Sequence, residues 1–425
     1  MNPLVNISKI TPPTLPKILP RPRLQNLLEK HKDKKLILIL GQAAQGKTTL
    51  VASYVKTSKT LSAWITLEKE DSHPFPLFYS IVKSLQQVLK EIDFSHLLSL
   101  PLRPMEGRAE IPLFREWICS LFGLISSPIR IILDGLDRLS SNAPAFNFLQ
   151  ILVEDAPQNI HWVLLSREVP SPPLEFQHLR IGQEAFLLTD EELAFTSNEI
   201  GEFFRKIRGI SFDAGQLRKI YSATEGWVGG LILLAESLDG FPEPRRGKFI
   251  SDELPPRFER KVFQYFAKEI FSSQPERVQK FLIKSSMIDL IEPDFMRDFT
   301  GAEDAEEILQ GLVRRNLFVH SIYAEEKKWL FHYHQLFRDF LKVRFKSAIK
   351  EEERQSLFLK AGHLCEKRGE IENALKYFLE AKAYAQAGSV IGQLGMNLLQ
   401  SGRKEDLSQW ILAFPEEFTH QLHKK

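Results

Sequence analysis

The chain has 425 residues, of which 43% are hydrophobic and 26% charged, and this composition is typical of a globular protein with three or four domains. A formal net charge of only +2 excludes a chain-wide positive field of the kind that attracts polyanions. Cys119 and Cys365 match neither a disulfide framework nor a zinc site, and no apolar run approaches the roughly 18 residues that cross a bilayer, so we expect a cytoplasmic protein.

The first part of the chain alternates between strand and helix patterns. Residues 1–22 predict an extended, proline-rich arm, and a short helix follows in QNLLEKHKD. Four short apolar runs have the length of buried parallel strands: LILIL, LSAWITL, IRIILD and HWVLLS. Amphipathic segments such as LFYSIVKSLQQVLKEI lie between them. The alternation predicts an α/β fold with a parallel sheet, helices on both faces and right-handed crossovers.

After about residue 185 the patterns become mainly helical. TDEELAFTSNEI and AGQLRKIYSATEGW begin with residues typical of helix N-caps, FPEPRRGKFISDELPP is a turn-rich connection, and residues 258–316 are again helical. NLFVHSIYAEEKKWLFHYH predicts a β-hairpin around a charged turn. From residue 350 we expect helical hairpins with turns near KRGEI, AKAY and SGRKE, although the pairs are too few and irregular to define a repeat array.

A phosphate-binding loop follows the first predicted strand. Gly41–Thr48, GQAAQGKT, completes the pattern G-x-x-x-x-G-K-[ST] between a strand and a helix. We interpret both glycines as residues that allow a tight turn, so that successive N–H groups and the positive end of the helix face a phosphate. Lys47 is predicted to reach the β- and γ-phosphates and the Thr48 hydroxyl to bind Mg²⁺. The predicted nucleotide-binding residues are Gly41, Gln42, Ala43, Ala44, Gln45, Gly46, Lys47, Thr48 and Thr49.

Acidic residues follow the third predicted strand. A P-loop is completed by an acid at the tip of a neighbouring strand, and we assign Asp134, which ends IRIILD, to the Mg²⁺ ion. Asp137 either orients the attacking water or caps the next helix. Because Arg138 follows it, no carboxylate stands beside Asp137 as a second base, which indicates slow chemistry. The predicted catalytic residues are Lys47, Asp134, Asp137 and Arg167.

Arg167 ends the fourth predicted strand in HWVLLSR. Its position points to the phosphate end of the sheet, where it either senses the γ-phosphate or pairs with a surface carboxylate. Ser166, beside it, is a weaker candidate for the same site.

These motifs, together with the segments that follow them, resemble the MalT-like branch of the STAND NTPases (signal-transduction ATPases with numerous domains), which are related to plant resistance proteins and animal inflammasome receptors. The resemblance covers nearly the whole chain and includes LPRPRL, AWITLEKED, VLLSRE, EELAFTSNEI, ATEGWVGGLILLAESL, VFQYFAKEI, RRNLFVHSI, FHYHQLFRDFL and the helical tail. It implies a P-loop nucleotide-binding domain with an extended N-terminal segment at 1–185, a small helical domain at 186–250, a winged-helix domain at 251–348 and an arm of tetratricopeptide-like hairpins at 349–425.

The resemblance also implies residue roles. ADP would be held between the domains of a resting monomer, with Arg21 of LPRPRL bordering the adenine and ribose. EGWVGG would pack against the base, although the family usually has proline where this chain has Val228. His334 matches a winged-helix histidine that reaches the β-phosphate of ADP, and the second histidine common in the family is Gln335 here.

His334 has a second interpretation. Without the resemblance, a histidine on a strand of an aromatic hairpin is usually a structural residue. His332 and His334 would share one face of that strand, but two histidines without a third ligand do not indicate a metal site.

Three functions compete. The resemblance favours a signal-transduction switch: ADP holds a closed, autoinhibited monomer, an unknown inducer promotes exchange for ATP and self-association, and slow hydrolysis resets the protein. The alternatives are an AAA-type ATPase motor, for which the sequence shows no clear arginine finger, and a DNA-binding, ATP-dependent transcription regulator. The chain stops where relatives begin a superhelical tetratricopeptide sensor, so we expect a truncated core that lacks its C-terminal sensor. Because relatives bind DNA through a separate helix-turn-helix module at the far C-terminus, nucleic acid is not an expected partner of this chain, and neither is a membrane.

Overall fold

The computed structural model describes residues 6–99, 110–140, 142–170, 177–238, 256–323, 328–400, 408 and 410–415. The chain divides into two compact units, Met1–Val262 with Arg314–Leu317, and Phe263–Val313 with Phe318–Lys425. Across the described ranges, no helix combines the length and the apolar character that crossing a bilayer requires.

The first unit contains a five-stranded sheet in which every strand pair is parallel, in the order β2-β3-β4-β1-β5. Its strands are β1 Leu36–Leu40, β2 Leu61–Thr66, β3 Ile129–Asp134, β4 Ile160–Ser166 and β5 Ala185–Leu188. The first four confirm the predicted strands, whose continuous apolar runs reflect burial on both faces. The sequence analysis missed β5, an edge strand of four residues in which only Leu188 is buried.

Helices cover both faces of this sheet. On one face Trp117 and Phe148 pack with Ile131 and Leu133 of β3, and on the other Leu28 and Val51 pack with Ile132. Successive residues of one strand thus enter opposite cores, as the period of two requires. The helices are α1 Pro22–Lys30, α2 Lys47–Thr57, α3 Pro74–Val88, α4 Ser95–Leu98, α5 Glu110–Gly123, α6 Pro144–Glu154 and α7 Gln177–Ile181.

The sequence predicted an extended N-terminal arm, but the arm is not extended throughout. Ile7–Ile10 forms a 3₁₀ turn, and within it the Lys9 ammonium donates to Asp71 Oδ1 at 2.8 Å. Both side chains are buried, and Ser80 donates to the same carboxylate. A buried charge requires such a partner, and this pairing fixes the arm to the sheet domain.

Short helices follow β5, and each of the first three begins with a capping box, at Thr189, Thr196 and Asp213. In a capping box the two side chains satisfy each other's free backbone N–H groups, which explains the predicted starts. The helices are α8 Asp190–Leu193, α9 Ser197–Phe203 with a π-helical continuation Phe204–Arg208, α10 Ala214–Thr224, α11 Val228–Leu238 and α12 Pro256–Tyr265. Most of the predicted connection 241–256, including RRGK, lies outside the described residues.

The second unit begins with helices that pack beside an antiparallel hairpin, which is the predicted winged-helix fold. The hairpin pairs Val319 with Tyr333, and Phe266, Phe318 and Phe337 fill the core beneath it. The elements are a π-helical turn Phe266–Phe271, α13 Glu276–Ser285, α14 Pro293–Thr300, α15 Ala305–Arg314, β6 Val319–Tyr323, β7 Trp329–Tyr333 and α16 Gln335–Ala348. The charged turn of the hairpin lies outside the described residues.

The helical arm consists of α17 Glu351–Lys367, α18 Ile371–Glu380 and α19 Tyr384–Gln400. Its first two turns fall at the predicted KRGEI and AKAY, and the third, SGRKE, lies outside the described residues. Gly362 of α17 lies against the Phe378 ring, so close that a Cβ there would stand 2.5 Å from Phe378 Cε1. The fold class is therefore as predicted, while the domain boundaries stay a prediction.

Candidate nucleotide-binding site

The loop between β1 and α2 has the backbone conformation expected of a phosphate cradle. Gly46 has φ +86° and forms the N-cap of α2, and Ala44 also lies in the left-handed region with φ +57°. Gly41 is different, because its φ is not positive. A Cβ at Gly41 would stand 2.8 Å from Leu193 Cδ1, so a larger residue here would have to displace that side chain of α8, and the predicted role of Gly41 in the turn stays a prediction.

Lys47 and Thr48 begin helix α2 at the base of this loop. The Lys47 ammonium donates to the carbonyls of Gly41 at 2.6 Å and Gln42 at 3.0 Å, and burial lowers its pKa to about 8. The Thr48 hydroxyl lies 3.0 Å from Asp134 Oδ2. Burial raises the pKa of the Asp134 carboxyl, with the Thr48 hydrogen bond opposing that shift. The structure thus brings together Lys47, Thr48 and Asp134.

The strand that carries Asp134 is not a direct neighbour of β1. In the order β2-β3-β4-β1-β5, strand β4 lies between β3 and β1, so the predicted adjacency is wrong. The site nevertheless forms at one edge of the sheet, because all strands are parallel and their carboxyl ends meet there.

Asp137 and Arg167 form a contact across this edge. Asp137 Oδ1 accepts the Arg167 backbone N–H at 2.9 Å, and Oδ2 lies 3.5 Å from Arg167 Nε. The alternative that Asp137 caps the next helix is wrong, because α6 has Ala143 at its N-cap with no side-chain cap. Ser166 Oγ accepts the Glu168 N–H at 3.1 Å, so this buried hydroxyl serves the turn after β4.

These residues enclose a cavity of about 200 Å³. Its lining combines Ala44–Thr49 of the loop with Asp134, Asp137, Arg138 and Arg167. Helix N-terminal N–H groups, one ammonium and two guanidinium groups favour a phosphate here, and two carboxylates in the same lining favour a cation.

The donors fit Mg²⁺. Thr48 and Asp134 offer hard oxygen atoms about 3 Å apart, and the raised pKa of the buried carboxyl indicates a group that a cation would stabilise. Mg²⁺ usually takes one or two protein oxygens and completes its octahedron with phosphate oxygens and water. Among the described residues, no group of three or more His, Cys, Asp or Glu is arranged to hold a metal ion.

A second cavity, of about 480 Å³, adjoins the first and shares Gly46 and Thr49 with it. Its walls are largely apolar and come from the N-terminal arm, α2 and the short helices after β5. The lining includes Ile18, Leu19, Arg21, Leu50, Phe195, Phe203, Val228 and Ile232. The sequence analysis singled out Arg21 and Val228 but missed the two phenylalanines and Ile232, because an apolar residue in a helix carries no sign that it faces a cavity.

Arg21 lies in this wall with its guanidinium fully engaged by protein. Two of its nitrogens donate to Glu199, and it also donates to the carbonyls of Leu193 and Ala194 at 2.7 and 2.9 Å. Its guanidinium carbon lies 4.2 Å from the centre of the Phe195 ring. Arg21 therefore holds the arm against α8 and α9, and its contact with a nucleotide stays a prediction.

The segment EGWVGG contacts the phosphate loop directly. The buried Trp227 indole N–H donates to the Ala43 carbonyl at 2.9 Å, and a Cβ at Gly229 would stand 2.9 Å from the Ala44 Cβ. Gln45 of the loop donates in turn to the Asp190 carbonyl at 3.3 Å. The sequence analysis expected this segment near the base, and it missed the hydrogen bond of Trp227.

His334 lies in the second unit, and its predicted position on a strand is wrong. Strand β7 ends at Tyr333, and His334 is the N-cap of α16, with Nδ1 accepting the Leu336 N–H at 3.2 Å. His332 and His334 therefore do not share a strand face, and His332 stacks on His320 instead, with ring centres 5.2 Å apart.

Comparisons with known proteins agree with this architecture. The family model described as MalT winged helix domain matches residues 267–356, and the one described as Nephrocystin 3, N-terminal, matches residues 14–167. The solved structure of the Walker-type ATPase PABY2304 of Pyrococcus abyssi has a TM-score of 0.51 and 15% identity, and the match covers 76% of this chain and 96% of that one, which indicates a shared fold.

Curated relatives carry the name HTH-type transcriptional regulator MalT. The protein from Vibrio cholerae serotype O1 is 22% identical over 95% of this chain and 44% of its own length. The one from Yersinia pestis (strain Pestoides F) is 25% identical over 92% of this chain and 42% of its own length. The chain thus spans less than half the length of these relatives, and their printed name does not support the expectation that nucleic acid is an unlikely partner.

Proposed function

We propose that this chain, which is a STAND NTPase of the MalT-like branch, works as a signal-transduction switch in the cytoplasm. In this proposal ADP with Mg²⁺ stabilises a closed, autoinhibited monomer. An unidentified inducer promotes exchange of ADP for ATP, the ATP form self-associates, and slow hydrolysis restores the ADP form.

The continuity of the two cavities carries the proposal. The first has the cation, anion and N–H groups that a phosphate chain and Mg²⁺ need, and the second has apolar walls that suit a purine base. Because both include Gly46 and Thr49, one nucleotide can place its phosphates in the first cavity and its base in the second. Thr48 and Asp134 would hold the ion, which neutralises phosphate charge when bound, and Lys47 would neutralise the phosphates from the other side.

The helices α8–α11, called the helical segment here, contact the phosphate loop, and these contacts allow a nucleotide in the loop to affect the position of the helices. The hydrogen bonds of Trp227 to Ala43 and of Gln45 to Asp190 join this segment to the phosphate loop. The hydrogen bond of Arg21 to Leu193 joins it to the N-terminal arm. A ligand shifts a conformational equilibrium only through contacts that differ between the two states. A nucleotide that touches the loop and the helices together is placed to favour the arrangement in which they are joined.

The surroundings of Asp137 support slow hydrolysis. Its carboxylate accepts the Arg167 N–H and faces the Arg167 guanidinium, so a water molecule must compete with these donors for the carboxylate. Arg138 occupies the next position, where its guanidinium donates to the Leu67 carbonyl at 3.3 Å. A base held in this way suits occasional turnover better than the continuous cycle of a motor. Rapid ATP turnover by the isolated chain at steady state would favour the motor.

His334 is the proposed contact of the second unit with ADP. Since Nδ1 accepts a backbone N–H, the proton of the neutral ring is on Nε2, which makes Nε2 a donor. A hydrogen bond from it to a phosphate contributes about 1.5–3 kcal/mol, because the acceptor is charged.

The first test is to release and identify the nucleotide that copurifies with the chain. We expect ADP in the wild type, none in Lys47→Ala, and wild-type content in Lys56→Ala, an exposed lysine on the same helix that serves as the control. ADP retained by Lys47→Ala would contradict the assignment of the phosphate loop.

The second test concerns the proposed hydrogen bond from His334 to a phosphate of ADP. His334→Ala removes the ring and also the cap of α16, whereas His334→Asn keeps a good capping group on a shorter side chain. We expect both variants to release ADP faster than the wild type, measured as displacement of a fluorescent ADP analogue, and the alanine variant to lose more stability than the asparagine variant, because both lose the packing of the buried ring but only alanine loses the cap. An unchanged rate of ADP release in His334→Asn would refute the proposed hydrogen bond from His334 to ADP.

The printed name of the relatives favours a second candidate, a role in transcription regulation by a longer protein. Salt-dependent binding of this chain to a DNA fragment, measured by fluorescence anisotropy with and without ATP, tests whether the chain itself takes part. Binding that is abolished in Lys47→Ala would indicate that the nucleotide site controls it.

A further inference from the structure

A cavity in the second unit lies outside the nucleotide site. It has a volume of about 380 Å³ and lies where α16 of the winged helix meets α17 and α18 of the arm. Ser286, Met287, Phe345 and Phe358 contribute to its walls. Nothing in the proposed nucleotide mechanism uses this cavity.

The charges around the cavity do not balance. Six cationic side chains line it, against three carboxylates, Asp289, Glu351 and Glu380. The six cations are Arg338, Lys342, Lys346, Arg354, Lys376 and Lys382. The surplus of three positive charges concentrates in one concave region of a chain whose total formal charge is only +2, and a concave, partly buried surface of one sign attracts counter-ions.

Two of the carboxylates are already shared between cations. Asp289 pairs with both Arg338 and Lys376, and Glu351 pairs with both Arg354 and Lys382. Within the described part of the chain, neither Lys342 nor Lys346 has a carboxylate oxygen within 4 Å of its ammonium, although the charge of Asp339 acts on Lys342 from a greater distance.

The pKa values of two lysines of the cavity are affected by burial and by neighbouring charges, with Asp339 opposing the shift at Lys342 and Glu380 the shift at Lys376. Burial, and after it the charge of Arg338, lowers the pKa of both Lys342 and Lys376. Tyr377 adds a neutral donor to the same wall. Tyr377 is only 5% exposed, and its hydroxyl forms no hydrogen bond with any residue of the described ranges. Its ring stacks on Phe358 with centres 6.4 Å apart.

We propose that this cavity is a binding site for a small organic phosphate. The phosphate would lie between Lys342 and Lys346 with Arg354 nearby, and the organic part would lie against Phe345, Phe358 and Tyr377. A phosphate dianion offers three acceptor oxygens and suits a cluster of ammonium and guanidinium groups better than a single carboxylate does. Because winged helix and arm both line the site, a bound phosphate would join them.

The test uses the whole 425-residue chain with the substitution Lys47→Ala, so that the probe cannot occupy the phosphate loop. Phenyl phosphate is titrated calorimetrically into this protein, with phenol as the uncharged analogue. We expect phenyl phosphate to bind, phenol not to bind, and the added substitutions Lys342→Ala and Lys346→Ala to weaken phenyl phosphate binding by at least about tenfold. Tyr377→Phe, which keeps the ring, should weaken it about two- to tenfold.

The matched control adds Lys350→Ala and Lys367→Ala, which remove the same charge from exposed positions of α17 and its N-cap outside the cavity. This variant should retain the affinity, and the urea unfolding curves of all variants establish that they are folded. No binding of phenyl phosphate, or equal affinity in the cavity and control variants, would overturn the proposal. Inorganic phosphate that binds as tightly as phenyl phosphate would overturn the role of the aromatic wall. None of these outcomes depends on the nucleotide switch.

Discussion

The hydrogen bond from Trp227 to the Ala43 carbonyl can be tested with two tryptophan variants. Trp227→Phe keeps an aromatic ring in a site that is 1% exposed but removes the N–H donor to the phosphate loop. Trp162, in strand β4 of the same unit, is also fully buried, yet its indole Nε1 has no hydrogen-bond partner among the described residues. Trp162→Phe therefore removes the same ring volume without breaking a hydrogen bond.

The expected difference follows from the acceptor left behind. In Trp227→Phe the Ala43 carbonyl, in a residue that is 4% exposed, loses its donor, and an unsatisfied buried group costs about 1–3 kcal/mol. Both variants lose packing to a similar extent, and Trp162→Phe also removes an unpaired N–H. Trp227→Phe should therefore lower the free energy of unfolding by about 1–3 kcal/mol more than Trp162→Phe.

Two assays measure the effect. Urea unfolding followed by far-UV circular dichroism gives the difference in stability, and displacement of a fluorescent ADP analogue gives the affinity. If the whole loss falls on the nucleotide-bound arrangement, the affinity of Trp227→Phe falls about 5- to 150-fold, while that of Trp162→Phe stays near the wild-type value. Equal loss of stability in the two variants, with equal affinity, would refute the idea that this bond joins the helical segment to the loop.

Two further predictions concern Lys47 and Arg21. Burial lowers the pKa of Lys47 to about 8, and a bound diphosphate favours its charged form. Affinity for ADP should thus be near its maximum at about pH 7 and below, and fall about tenfold between pH 7 and pH 9, with proton uptake detected by calorimetry in buffers of different ionisation enthalpy. A pH-independent affinity would show that Lys47 is charged throughout. Arg21→Ala should lower the free energy of unfolding by about 1.5–3 kcal/mol, because the carbonyls of Leu193 and Ala194 lose a charged donor and Glu199 keeps only Arg23 as its ion-pair partner. Arg23→Ala, which removes a 41% exposed side chain, should cost less than about 1 kcal/mol, and similar losses would contradict the buried pair.

The parts of the site that the sequence predicts are those in which chemistry fixes local spacing. A phosphate-binding loop needs a strand, a turn and a helix within a few residues, so the segment from Gly41 to Thr48 can be recognised from the sequence alone. Asp134 is recognisable because a carboxylate that ends a continuous apolar run is costly unless it serves a purpose. Its strand was wrongly placed beside β1 because the sequence of a parallel sheet does not give the order of its strands, and here β4 lies between β3 and β1.

The contacts that join separate segments could not be predicted. Trp227 and Ala43 are 184 residues apart, and neither residue type nor spacing indicates that an indole will meet a loop carbonyl. The same holds for Asp137, whose acceptor atoms meet a backbone N–H of the next strand end instead of a helix. For His334, the aromatic run WLFHYH suggests a strand to its end, but the backbone turns one residue early and makes the histidine a helix cap.

The energy available to the proposed switch limits what any one of these contacts can do. Moving a two-state equilibrium from 1:99 to 99:1 requires about 5.5 kcal/mol of differential binding. One imidazole-to-phosphate hydrogen bond supplies about 1.5–3 kcal/mol, and the Trp227 bond about 1–3 kcal/mol if it forms in one state only. Each is too weak alone, but together with a purine base held between the arm and helices α9 and α11 they reach the required range. A switch assembled from several modest contacts responds to small changes at any of them, so variants at His334 and Trp227 should both accelerate ADP release without abolishing binding.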